Sequence, residues 1–150
     1  MTLRSVQPRL IEGGIHFDER GSVSHVNDFD FVGVDRFYLI RSRMSGVPRG
    51  WVGHRRDQKW FFAAHGEVQV AVVQPDDWKA PSRGLPVSTY ILSSGSPQVL
   101  HVPPGFATAI VHLTEPALLI VFSSGKVDDA RSDAYRFPAD QWSIDVTQGT

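Results

Sequence analysis

Hydrophobic and polar positions alternate over short stretches of this chain, and helical periodicity is hard to find. Residues 67–72 show the pattern most clearly: Val68, Val70 and Val72 fall on one face and the intervening residues on the other, which is the period of a β-strand. Gly, Pro, Asp and Ser separate these stretches. The pattern predicts nine strands, at residues 22–27, 36–40, 49–54, 59–64, 67–74, 88–92, 98–102, 108–113 and 118–123.

Turn signals between these strands favour an antiparallel arrangement. His65-Gly66 reads as a tight turn, residues 75–86 as a polar loop, and Pro103-Pro104-Gly105 as a second turn. Many short strands at this spacing indicate a β-barrel or sandwich. A length of 150 residues suits a single domain over residues 1–150. We expect its core at about residues 16–125, with a polar tail at 126–150 that docks on the barrel and has room for one short helical turn.

Composition narrows the range of partners. Lysine and arginine (15) nearly balance aspartate and glutamate (16), so net charge does not favour nucleic acid or an anionic membrane. The absence of cysteine excludes disulfides, thiolate metal sites and cysteine nucleophiles. No apolar run approaches the roughly 20 residues of a membrane helix, and residues 1–10 lack the apolar core of a signal peptide. We therefore expect a soluble cytoplasmic protein.

Residues 49–60 concentrate the polar chemistry of the chain. Charged and apolar residues alternate there just before a hydrophobic strand, a pattern typical of the mouth of a pocket. His54 could transfer protons near neutral pH, because the pKa of free histidine is about 6.5. Lys59 could stabilise an oxyanion in a dry pocket, and Arg49 could bind phosphate oxygens through its planar guanidinium group.

Seven motifs, taken in order, resemble those of a known family. They are Asp18-Glu19-Arg20-Gly21, Arg36-Phe37-Tyr38-Leu39-Ile40, Gly46-Val47-Pro48-Arg49-Gly50-Trp51, His54-Arg55-Arg56, Lys59 seven residues before Gly66, Val102-Pro103-Pro104-Gly105-Phe106-Ala107, and Tyr135-Arg136-Phe137-Pro138-Ala139-Asp140. Over about residues 16–142 the chain resembles the cupin-type dTDP-4-dehydrorhamnose 3,5-epimerases and dTDP-4-keto-6-deoxyhexose 3,4-ketoisomerases. The resemblance implies an all-β double-stranded β-helix (cupin or jelly-roll barrel). It also implies a homodimer in which N-terminal strands are exchanged to complete each pocket.

The resemblance also implies a reaction and a set of site residues. Such enzymes remove a proton next to a ketone and stabilise the resulting enolate. Carried over, His54 becomes the proton-transfer residue, Lys59 the enolate stabiliser, and Arg20 and Arg49 the diphosphate-binding residues. Tyr38 and Trp51 are candidates to stack on a thymine or sugar ring. Three positions depart from the family pattern: Val52 and Thr108 replace expected histidines, and Val121, with its neighbour Phe122, replaces the expected tyrosine acid.

Each of these residues also has a structural interpretation. His54 could be held by a neighbouring carbonyl or carboxylate, and Lys59 could extend from a strand start towards solvent. Arg20 could form a surface ion pair with Asp18 or Glu19. Large aromatic side chains on strands more often belong to the core. We assign Trp60 to the core for that reason, and leave Tyr38 and Trp51 open.

The sequence predicts neither a metal site nor another cofactor. Metal-binding cupins need about three His or Glu ligands. The corresponding positions here are Val52, His54, Gln58 and Thr108, which supply one good ligand. Three functions follow as alternatives: a metal-independent nucleotide-sugar epimerase or ketoisomerase with a depleted catalytic set, a non-catalytic cupin that binds a nucleotide sugar or another small ligand, and a metal-free cupin lyase or isomerase of unrelated substrate.

Overall fold

The computed structural model describes residues 6–147, so the ends of the predicted 1–150 domain lie outside the described residues. The described chain is built almost entirely of strands. Twelve strands and one helix follow in order: β1 (Arg9–Glu12), β2 (Gly14–Asp18), β3 (Gly21–His25), β4 (Arg36–Arg41), β5 (Arg49–His54), β6 (Lys59–His65), β7 (Glu67–Val73), β8 (Ser88–Ser93), β9 (Gln98–Val102), β10 (Phe106–His112), β11 (Leu118–Ser123), α1 (Val127–Ser132) and β12 (Tyr135–Arg136).

Two five-stranded antiparallel sheets form the body. One has the order β1-β9-β6-β11-β4 and the other the order β12-β5-β10-β7-β8. From β4 to β11 the chain crosses repeatedly between the two sheets, which is the winding of a double-stranded β-helix. The predicted all-β cupin fold is therefore confirmed, and α1 supplies the one short helix of the tail. Strands β2 and β3 form a separate hairpin whose residues pair only with one another.

The main core lies between the two sheets. Phe61, Leu100, Leu119 and Val121 from one sheet pack there against Val70 and its neighbours from the other. A second cluster lies on the outer face of the second sheet, where Trp51 and Trp142 pack against small residues of β7 and β10. Strand β7 is therefore buried on both faces. Residues of the tail cover its outer face, and the Gln69 side chain hydrogen-bonds to the backbone of Asp145 and Thr147.

The predicted strands match observed strands within about two residues at each end, and three observed strands were not predicted. The four residues of β1 and the two residues of β12 are too short to show periodicity. Strand β2 has no buried face, so its sequence shows no core pattern. His65, expected in a turn, is the last residue of β6, and Gly66 alone takes the positive φ of +72°.

None of the helices among residues 6–147 is long and apolar enough to cross a lipid bilayer.

Candidate functional site

A cavity of about 710 Å³ opens between the two sheets, a volume typical of small-molecule sites. Strands β4, β5, β6 and β10 form its walls, and α1 and β12 from the tail border it. The side chains that carry its chemistry are Arg36, Tyr38, Arg49, His54, Lys59, Arg131 and Arg136.

His54 ends β5 and lines this cavity, where it is half-buried. Burial and then the positive charge of Lys59 lower the pKa of His54 from 6.5 to about 4, although Asp57 and Asp133 act in the opposite direction. The imidazole is therefore neutral at physiological pH and can accept a proton. A base with so low a pKa accepts protons weakly when no ligand is present.

Lys59 begins β6 and is buried in the wall of the same cavity. Its ammonium group forms an ion pair with Asp57 at 2.7 Å and donates a hydrogen bond to Ser123 Oγ at 2.9 Å. Burial raises the pKa of Asp57, but hydrogen bonds from Lys59, Ser124 and Ser123 outweigh it and lower the pKa to about 2. The lysine is thus a fixed cation whose position is set by a network of buried groups.

Tyr38 lies in the middle of β4 and reaches the cavity between two cations. The Arg36 guanidinium is 4.8 Å and the Lys59 ammonium 5.5 Å from the centre of its ring. Tyr38 is also directly opposite Val121 in the β4–β11 register. Val121 is where the resemblance places a tyrosine, so Tyr38 brings a phenol to the neighbouring strand at the same level of the barrel.

The two positions where histidines were expected face each other across β5 and β10. Val52 pairs with Thr108 in register, and both line the cavity. Next to them, Gly50 has a φ of +139°, and a Cβ at this position would lie 2.8 Å from Ala109 Cα. Because only glycine fits there, the two strands can approach closely beside the cavity. Within residues 6–147, no three His, Asp or Glu side chains lie close enough together to hold a metal ion.

Four arginines line the cavity, and among residues 6–147 no aspartate or glutamate lines it. The ion pairs of the described residues join Arg20 to Asp18, Arg56 to Asp133, and Lys59 to Asp57. None of them includes a cavity arginine (Arg36, Arg49, Arg131 or Arg136). The cavity is therefore a strongly positive environment, as expected of a site for an anionic ligand.

Trp51 and Arg20 differ from the other candidates in their surroundings. Trp51 borders the cavity, but its ring is only 1% exposed, packs edge-on against Trp142, and donates a hydrogen bond to the Trp142 carbonyl. Arg20 lies in the turn between β2 and β3, with its side chain 84% exposed and paired to Asp18 at 2.6 Å. The structure therefore brings Arg49, His54, Lys59 and Tyr38 to one cavity and leaves Arg20 outside it.

Several polar residues of the site were not singled out from the sequence. Arg36 could have been found, because it lies two residues before Tyr38 on the same strand face. Arg131 and Arg136 reach the cavity only because the tail folds back over it. Asp133 is buried and accepts hydrogen bonds from the backbone amides of Arg55, Arg56 and Asp57, the loop that joins His54 to Lys59. Contacts between residues so far apart in the sequence cannot be predicted from local patterns.

Comparison with solved structures gives consistent neighbours. The sugar 3,4-ketoisomerase QdtA from Thermoanaerobacterium thermosaccharolyticum, in complex with TDP, superposes with a TM-score of 0.66 at 20% identity, over 87% of this chain and 88% of that one. The epimerase RmlC from Legionella pneumophila, in complex with dTDP-4-keto-L-rhamnose, superposes with a TM-score of 0.72 at 21% identity, over 95% of this chain and 79% of that one. The RmlC epimerase from Mycobacterium tuberculosis superposes with a TM-score of 0.70 at 18% identity, over 92% of this chain and 72% of that one.

At the level of sequence alone, no protein-family model and no curated protein matches the chain. The likeness lies in the three-dimensional arrangement, at identities of about one residue in five. The chain therefore has the fold of the dTDP-sugar 3,5-epimerases and 3,4-ketoisomerases.

Proposed function

We propose that the protein is a nucleotide-sugar epimerase or ketoisomerase that acts on a dTDP-4-keto-6-deoxyhexose-like substrate without a metal. The observation that carries this proposal is the convergence of His54, Lys59, Tyr38 and Arg49 on one cavity that has no lining carboxylate. Structural neighbours with the same fold, solved with TDP or with a dTDP-keto sugar, support the nucleotide sugar as the ligand.

In the proposed reaction, His54 removes the proton from a carbon next to the C4 ketone. The C–H electron pair moves into a carbon–carbon double bond, and the carbonyl electrons move to oxygen, which becomes an enolate. Lys59 stabilises that oxygen because a fixed cation in a site of low polarity needs no reorganisation. Tyr38 then donates a proton to carbon, which re-forms the ketone and leaves His54 protonated and Tyr38 ionised; proton exchange with water returns both groups to their starting forms.

Tyr38 is our candidate for the missing acid. Its place across from Val121 supports this role, and the negative charge left after proton donation would form near Arg36 and Lys59. Arg49, with Arg131 and Arg136, would bind the diphosphate through bidentate hydrogen bonds. Trp51 would act by supporting β5, because its ring is packed against Trp142.

A second candidate function is that of a non-catalytic protein that binds a nucleotide sugar. Two observations favour it: the pKa of His54 near 4 makes this residue a weak base, and Val52 and Thr108 supply no second imidazole. General acid–base catalysis contributes about 10²- to 10⁴-fold for each group, so these losses would slow a family-type reaction severely. The arginines alone would still retain the ligand.

Deuterium exchange separates the two candidates. The protein is incubated with dTDP-4-keto-6-deoxyglucose in deuterated water, and deuterium at C3 and C5 is followed by mass spectrometry and NMR. We expect incorporation with the wild type and none with His54→Ala. Full incorporation with His54→Ala would remove His54 from the proposed role. Tight binding by the wild type without incorporation would establish the binding function instead.

We also propose that the protein works as a homodimer in which Arg20 reaches the cavity of the other copy. The β2–β3 hairpin carries exposed Phe17 and Val23, 71% and 63% exposed, which a second copy would cover. Light scattering should give the mass of a dimer, and Phe17→Ser should weaken it. A monomeric wild type at micromolar concentration would refute this arrangement.

A further inference from the structure

The cavity holds more positive charge than the diphosphate of a nucleotide sugar requires. Such a diphosphate carries two negative charges at neutral pH, whereas four unpaired arginines line the cavity. The charge of Lys59 is already balanced by Asp57 at 2.7 Å. Arg49, Arg131 and Arg136 are exposed to solvent, whereas Arg36 is half-buried. Because a partly buried cation without a carboxylate partner is costly, Arg36 in particular indicates a further negative group on the ligand.

Arg36 is the arginine best placed to meet that group. Its side chain is half-buried, and its Nε donates a hydrogen bond to the Gly125 carbonyl at 2.9 Å, which fixes the guanidinium plane. Its two terminal nitrogens form no hydrogen bond with any described residue. The result is a held guanidinium fork that borders the cavity with two donors unused, the arrangement that binds a carboxylate bidentately.

Arg36 also lies at the reacting end of the cavity. It shares one row of the first sheet with Lys59, since both residues pair with Ser123 in register. His54 lies at the same end, because the charges of Lys59 and Arg36 both act on it. Arg49 begins β5 and His54 ends it, which separates them by roughly 16 Å at about 3.3 Å per residue. One diphosphate cannot span that distance.

From this arrangement we propose that the substrate is a nucleotide sugar whose sugar ring carries a carboxylate, and that Arg36 binds this carboxylate. The inference rests on the proposed function, which supplies the diphosphate at Arg49 and the keto sugar at His54 and Lys59. It replaces the 4-keto-6-deoxyhexose of that function with a related 4-keto sugar that carries a carboxylate in place of the C6 methyl group.

Two ligands that differ only in this group test the inference. Binding of dTDP-glucose and dTDP-glucuronate to the full chain is measured by isothermal titration calorimetry. We expect dTDP-glucuronate to bind about ten- to a hundred-fold more tightly, the effect of one charge-assisted bidentate pair. Arg36→Gln should remove this difference and leave the affinity for dTDP-glucose within about threefold. Arg36→Lys should keep only part of it, because lysine lacks the fork.

Arg41→Gln is the matched control, since Arg41 is an exposed residue at the other end of the same strand. It should bind both ligands as the wild type does, and urea unfolding verifies that each variant is folded. Equal affinity of the wild type for the two ligands, or an equal loss for both in Arg36→Gln, would overturn the carboxylate inference and leave the proposed function intact. If neither ligand binds, both the carboxylate inference and the proposed function are overturned.

Discussion

Lowering the pH from about 6.5 to about 4 is expected to destabilise the protein through His54. In the unfolded chain this histidine takes up a proton near pH 6.5, whereas burial and Lys59 lower its pKa in the folded protein to about 4. Between these values the unfolded state binds more protons than the folded state. The contribution of His54 is therefore fully present above pH 6.5 and is lost as the pH falls towards 4.

The size of the effect follows from the two pKa values. A difference of about 2.5 pH units at about 1.4 kcal/mol each gives about 3.5 kcal/mol, which is an upper value because the ring is only partly enclosed. His101 and His112 have pKa values lowered by burial and change stability in the same direction. Asp57 contributes in a separate window, between its ordinary pKa of 3.8 and about 2.

The variant His54→Gln isolates the contribution of His54 to the pH dependence of the free energy of unfolding. Urea unfolding of the wild type and the variant at several pH values between 7 and 4 should show that the wild type loses more stability, by about 2–3 kcal/mol. NMR titration of the imidazole signals should independently place His54 near pH 4, with the variant used for assignment. Parallel stability curves for the two proteins, or a His54 pKa above 6, would refute the reasoning.

Three further perturbations test the site. Lys59→Met should destabilise the protein by about 3–5 kcal/mol in urea unfolding, because Asp57 would be left buried without its cation, and the double variant with Asp57→Asn should recover much of this loss. Gly50→Ala should cost about 1–3 kcal/mol from backbone strain alone, whereas Gly84→Ala, which has open space around it, should cost less than about 0.5 kcal/mol. Val52→His should raise deuterium incorporation by about 10²-fold or more if the protein is an enzyme; a folded variant with unchanged incorporation would contradict this.

The sequence predicted the body of the barrel well because its strands are bounded by strong turn signals and most bury at least one face. Residues 49–54, 98–102 and 118–123 were predicted with the observed bounds. Strand β2 of the β2–β3 hairpin and strand β12 could not be predicted in this way. The hairpin packs no face into the core, and β12 is defined only by its pairing with β5. Such pairings depend on tertiary contacts and leave no periodic pattern.

For the site, the sequence predicted residues that lie close together along the chain and missed those contributed by the tail. Arg49, His54 and Lys59 were found because they fall within twelve residues. Asp133 was not, although it holds the loop between His54 and Lys59, because its contacts join residues nearly eighty positions apart. For Trp51 the sequence left ligand stacking and core packing open; the residue borders the cavity, and its ring packs against Trp142 in the outer cluster.

The departures from the family pattern and the surplus of arginines have a common physical interpretation. A histidine at position 52 would lie in the same positive cavity as His54, where cations and burial favour the neutral ring. We therefore expect ligand binding and proton transfer to be coupled, because an anion bound near Lys59 and Arg36 would offset the positive charges that, after burial, lower the pKa of His54. A cavity of this kind selects first for an anion, and any chemistry depends on that anion being bound.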